Sequence, residues 1–177
     1  QTFNIGEAPS KMALGDLNGD GKPELVVIHG NYLNKFSVLR NTSTVGNASF
    51  AAKVEFTTGI YPESALICDI DVDGRPDLIV SNRNNFACGI PCTSNLGILA
   101  VYKNTATVST ISLQRQNDIA TGMSPGEISA SDLNTDGNPD IIVPNWGSNP
   151  GQTTTPSNVT VYLNNNIKNQ SISFASI

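Results

Sequence analysis

Three nine-residue segments hold the side chains best placed to do chemistry: Asp16-Leu-Asn-Gly-Asp-Gly-Lys-Pro-Glu24, Asp69-Ile-Asp-Val-Asp-Gly-Arg-Pro-Asp77 and Asp132-Leu-Asn-Thr-Asp-Gly-Asn-Pro-Asp140. Positions 1, 3 and 5 of each offer side-chain oxygens: Asp16, Asn18, Asp20; Asp69, Asp71, Asp73; Asp132, Asn134, Asp136. Position 9 returns a carboxylate, as Glu24, Asp77 or Asp140, and position 7 (Lys22, Arg75 or Asn138) offers a backbone carbonyl. Oxygen donors at alternate positions of one tight loop are what a hard cation such as Ca²⁺ requires. Glycine at position 6 permits the reversal that turns those donors towards one centre. Carboxylates crowded into nine residues repel one another, and a bound cation removes that cost. Three Ca²⁺ sites are the expectation.

An EF-hand loop opens the same way but needs a bidentate Glu at position 12 and flanking helices. Position 12 here is Val27, Val80 or Val143, inside an apolar run, and position 8 is proline. These loops join strands.

The elements that must position them repeat with the loops, whose starts lie 53 and 63 residues apart. A Gly-x-x-Pro element precedes each loop (Gly6 to Pro9, Gly59 to Pro62, Gly122 to Pro125). In each repeat one strand enters the loop (11–15, 65–68, 128–131) and a second leaves it (25–28, 78–80, 141–143). A third follows at 36–40, 98–102 and 159–163, then an Asn-rich turn at Asn41, Asn104 or Asn164. A fourth reads 54–56, with weaker counterparts near 111–119. No stretch has a 3.6-residue period, so the chain is read as all-β, with repeats at about 1–53, 54–116 and 117–177. The end of the chain (173–177) matches 49–53 and its start matches 56–59, giving three periods of four strands, the size of a propeller blade.

The pattern Asp-x-Asp/Asn-x-Asp-Gly-x-Pro-Asp/Glu, with its Gly-x-x-Pro lead-in and flanking strands, resembles the FG-GAP/VCBS repeat of integrin α-subunit propellers and bacterial surface proteins. The resemblance implies β-propeller blades, part of a propeller of six to eight, with Ca²⁺ in the hairpin between the first two strands of each. It also implies a secreted or cell-surface protein of bacterial type.

Composition excludes other classes. Of 15 acidic residues ten lie in the loops, so six charges from three Ca²⁺ would more than offset the formal −5. A pI near 4.6 without a Lys/Arg cluster leaves no basic face for nucleic acid. No apolar run approaches the roughly 20 residues that span a bilayer, and no signal peptide is recognisable.

The connections between second and third strands are long and each holds an aromatic: Tyr32, Phe86 and Trp146. Long loops on a rigid scaffold commonly carry recognition, so these three are the candidate ligand-binding residues for an extracellular glycan or protein. Cys88-Gly-Ile-Pro-Cys92 is read as a small loop-stapling disulfide suited to an oxidising compartment. Cys68 is read as a small buried strand residue, and the lone His29 as a loop-edge residue. Glu63 and Glu127 raise glycosidase chemistry, but no nucleophile or acid–base constellation repeats, and catalysis is not expected. The leading reading is a calcium-binding propeller segment in adhesion or ligand binding. The alternatives are a module of an extracellular polysaccharide-degrading enzyme, or a passive spacer. Further repeats of the parent chain, or head-to-tail copies, are the expected structural partners.

Overall fold

A computed structural model of the chain describes residues 1–30, 33–84, 96–147, 156–165 and 174–176. Their backbone forms β1 (Pro9–Gly15), β2 (Glu24–His29), β3 (Lys35–Leu39), β4 (Val54–Thr57), β5 (Pro62–Cys68), β6 (Asp77–Asn82) and β7 (Leu96–Asn104). Then come β8 (Leu113–Arg115), β9 (Ile119–Met123), β10 (Ser129–Ser131), β11 (Asp140–Asn145), β12 (Asn158–Asn164) and β13 (Phe174–Ser176). No helix occurs among the described residues. The strands make three antiparallel sheets, β1-β2-β3-β4, β5-β6-β7-β8 and β10-β11-β12-β13. The chain is all-β, in three blade-like meanders.

The second sheet departs from the four-strand expectation. β8 pairs with the end of β7 (Tyr102↔Arg115, Asn104↔Leu113) and β9 with its beginning (Leu99↔Ile119, Leu96↔Met123). Two short strands therefore share one edge, where the sequence showed only a weak fourth strand. The Gln116 amide donates to the Val101 carbonyl at the break, and Arg115 pairs with Asp118 across it. Sequence period and sheet also have different boundaries. β4, which opens the second sequence period, completes the first sheet, and β9, which opens the third, pairs with β7 of the second.

Packing explains why the second strands read as unbroken apolar runs. Val26, Ile28, Phe36 and Val38 of the first sheet meet Leu78, Val80, Ala100 and Tyr102 of the second. Ile79, Leu99 and Val101, on the other face of the second sheet, meet Ile128, Ile141, Val143 and Tyr162 of the third. A sheet buried on both faces has no polar side to alternate with, and every residue of β6 is buried. Phe36 stacks on Phe56 and meets Tyr102 edge-on, both at 5.1 Å between ring centres. On the two outermost faces apolar side chains are exposed at β1 (Met12 68%, Leu14 65%) and at Val159 of β12 (62%), whereas Val27, His29, Ser37 and Leu39, on the same face of the first sheet as Met12 and Leu14, are buried.

The loops at 16–23, 69–76 and 132–139 join the first two strands of each sheet. In an antiparallel meander they all lie at one end, with the following connections at the other.

Candidate metal centre

Each acidic loop is shaped by the same backbone requirement. Position 6 has φ of 82° (Gly21), 95° (Gly74) and 89° (Gly137), the left-handed region that favours glycine. Position 4 is left-handed too, and only the first loop has glycine there: Gly19 at 75°, against Val72 at 55° and Thr135 at 63°. A β-branched residue in that region is strained.

The carboxylates hold this shape. Asp16 Oδ1 accepts from the Gly19 and Asp20 amides at 2.8 and 3.2 Å, and its Oδ2 from Gly21 at 2.8 Å. Asp69 accepts from Asp73 and Gly74, and Asp132 from Asp136 and Gly137, in the same pattern. At position 3, Asn18, Asp71 and Asn134 accept from the position-5 amide. At position 5, Asp20, Asp73 and Asp136 accept from the amides of Lys22, Arg75 and Asn138. Three loops of different sequence thus share one scheme.

The position-9 acids do something the spacing did not show. Glu24, Asp77 and Asp140 have no solvent exposure. Asp140 accepts from the Leu133 amide at 3.0 Å and the Asn164 amide at 2.9 Å. Asp77 accepts from Ile70 at 3.3 Å and Asn104 at 2.8 Å; Glu24 accepts from Leu17, Asn18 and Asn41. Each therefore clamps its loop to the end of the third strand. Asn41, Asn104 and Asn164 were legible only as turn residues. Their recurrence within two residues of the end of the same strand, in phase with the acids, was the available signal.

The second loop differs in charge. Asp71 replaces the asparagine of its siblings, and Asp69, Asp71 and Asp77 bring carboxylate oxygens within 4.8 Å of one another. Burial, and then the Asp71 and Asp73 charges, push the Asp77 carboxyl up to about 6, against the pull of its amide bonds. Burial likewise raises Glu24. The Lys103 ammonium, on β7, contacts buried Asp71 and lies 3.4 Å from Asp73, whose other partner is Arg75 at 3.0 Å. Those contacts raise Lys103, the Asp71 bond most. For Asp73, burial is outweighed by Arg75 and Lys103, so its carboxyl lies below the usual range. Lys103 was not singled out in the sequence; its role depends on β7 running past a loop some 30 residues earlier.

Residues 8–80 match the family model of an FG-GAP-like repeat. The matched segment is similar to an FG-GAP-like repeat. The match runs from β1 through the first acidic loop and sheet, and on through the second loop into β6. No curated protein matches the chain. The FG-GAP-like repeat is a propeller-type module, and its repetition points to neighbouring repeats.

The remaining sequence candidates scatter around this frame. Tyr32, Phe86, Cys88 and Cys92 lie outside the described residues. Trp146 is 69% exposed, beside a shallow hollow of about 300 Å³ lined by Pro144, Asn145, Ser157 and Asn158. Cys68 is a half-buried free thiol, raised by burial and then by Asp69 and Asp77. Glu63 pairs with Arg83 at 3.0 Å, and Glu127 is exposed. His29 is not a loop-edge residue. It is fully buried, with Nδ1 2.6 Å from the Glu7 carbonyl and Nε2 2.7 Å from Ser37 Oγ. It occupies the place of Asn82 and Asn145, which are buried amides at the ends of β6 and β11.

Proposed function

We propose that the chain is a calcium-stabilised propeller segment of a secreted or cell-surface protein, one Ca²⁺ per acidic loop, with recognition at the opposite end of the sheets. The observation that carries this is the common hydrogen-bond scheme of the three loops, which orders oxygen donors alone around one turn. The donor set fits a hard cation. In the second loop the chain's own ammonium stands against Asp71 and Asp73, a stand-in for the cation. The cation would be held by positions 1, 3 and 5, the carbonyl of position 7 and, in the second loop, Asp77. Its role is structural: it offsets carboxylate repulsion and fixes the loop.

The exposed apolar side chains of β1 and β12, Met12, Leu14 and Val159, are suited to cover by further repeats of a longer chain or by head-to-tail copies. Trp146 supports ligand binding over a passive spacer. An exposed indole beside a hollow lined by proline, serine and asparagines is suited to stacking on a sugar face or anchoring a protein. We assign binding rather than turnover, since among the described residues the carboxylate cluster that recurs in all three sheets is the loop itself.

The test is thermal unfolding with Ca²⁺ and with chelator. A cation bound only by the folded chain raises the melting temperature progressively with its concentration. An unchanged melting temperature across millimolar Ca²⁺ and chelator refutes the metal reading. As the sole tryptophan, Trp146 reports glycan binding by its own fluorescence. A glycan panel that leaves the emission unchanged removes the sugar reading.

A further inference from the structure

The second loop carries one more carboxylate than its siblings and is the one engaged by a cationic side chain from another strand. Position 3 is Asp71 there but Asn18 and Asn134 in the others. The Lys103 ammonium, 28% exposed, contacts Asp71, which is fully buried, and Asp73. The position that Lys103 occupies, directly before the clamped asparagine, holds Arg40 in the first repeat and Leu163 in the third. Among the described residues no ion pair reaches the carboxylates of the first or third loop. The extra acid and the engaged lysine thus occur together.

Resting on the calcium reading above, we infer that Lys103 is a built-in competitor for the second loop. Its ammonium neutralises the Asp71–Asp73 pair when no metal is present and must swing out before a divalent cation can use Asp71. The physical reason is charge. A buried carboxylate is stabilised by a positive group beside it, Asp71 is fully buried with Lys103 against it, and one position cannot hold both an ammonium and a Ca²⁺. The second loop then differs from the others in two ways. It keeps its shape without metal better, and it takes up Ca²⁺ at a higher concentration than its donors alone would require. Lys103 reaches into this loop from β7, the strand whose Asn104 also bonds to the first loop, so displacement of Lys103 would be felt where two repeats meet.

The experiment is a Ca²⁺ titration of the ¹⁵N-labelled full chain, reading the Gly21, Gly74 and Gly137 amides. Each donates to the position-1 carboxylate of its own loop, at 2.8, 2.9 and 2.9 Å. Lys103→Met is expected to move the Gly74 midpoint to about tenfold lower Ca²⁺, the factor for a site open about a tenth of the time, with Gly21 and Gly137 unmoved. Lys103→Gln, which keeps a neutral donor for Asp71, should shift it the same way and serves if the methionine variant folds poorly. In chelator these variants should melt below the wild type, and in saturating Ca²⁺ the difference should vanish. If all three glycines titrate and Gly74 keeps its midpoint in the variants, the inference is overturned while the calcium reading stands. A loss of melting temperature equal in chelator and in Ca²⁺ also overturns it, since Lys103 would then be a plain structural ion pair. If no glycine responds, the calcium reading falls and takes this inference with it.

Discussion

Asn104 Nδ2 donates to the carbonyl of Leu17, 2.7 Å away and 87 residues earlier, and so joins the second sheet to the loop of the first. Asn164 repeats the bond one sheet on, donating to the Ile70 carbonyl at 2.7 Å. Both amides also bond to the proline carbonyl of their own loop, Pro76 or Pro139. Asn41 has the proline bond alone, to Pro23 at 2.9 Å. Asn104→Ala leaves a buried carbonyl (Leu17) and a half-buried one (Pro76) without their donor and should cost roughly 2–3 kcal/mol, whereas Asn41→Ala, on an exposed bond, should cost less than about 1. Urea unfolding midpoints decide. Equal losses for the two variants would mean that the cross-sheet bond contributes nothing.

The position-9 clamp has its own test. Asp140 accepts one backbone amide on each oxygen, so Asp140→Asn must turn its NH₂ towards an N–H donor whichever way it flips. A loss of about 1–2 kcal/mol is expected in chelator, where no metal contributes. A variant as stable as the wild type there would show that the clamp is incidental.

Backbone strain at position 4 predicts a gain. Val72→Gly should stabilise the protein by about 0.5–1 kcal/mol, the relief of a left-handed β-branched residue less the added freedom of the unfolded chain. The reverse holds at Gly19, where an added Cβ meets nothing within 4 Å. Gly19→Ala should therefore cost about 1 kcal/mol through conformation alone. Calorimetric melting of the pair checks both signs.

Acid dependence centres on Glu55. Hydrogen bonds from Lys53 and then Lys35 hold its carboxyl at about 2, below its ordinary 4.5. A folded value below the unfolded one means stability present above about 4.5 and lost as the pH falls from there towards 2. The pair is solvent-exposed, so the effect is small and salt-sensitive. Glu55→Gln should flatten this stretch of the acid-unfolding curve at low salt and change little at neutral pH. A variant curve that parallels the wild type from pH 5 to 2 removes the assignment.

What could be read from the chain alone was whatever acts within a few residues. The loops, their glycines and proline, the absent helical period and the strands on either side all follow from local spacing, and the three sheets carry them where expected. Leu78-Ile-Val80 was legible as a strand because an unbroken apolar run bounded by turn residues suits a doubly buried one. The tertiary structure decided everything that depends on which strand lies beside which loop. Asp77 was expected to be simply another oxygen of its own loop. Folding brings the Asn104 amide to it from 27 residues away and makes it a clamp. His29 ended an apolar strand with no Cys, Asp or Glu close in sequence, and only the placement of Glu7 and Ser37 shows why it is buried. Lys103 alternates with its neighbours like any solvent-facing lysine, yet β7 carries its ammonium onto Asp71. Bond angles and turn preferences act along the chain, whereas burial and charge act across space, and space is settled only when the sheets have packed.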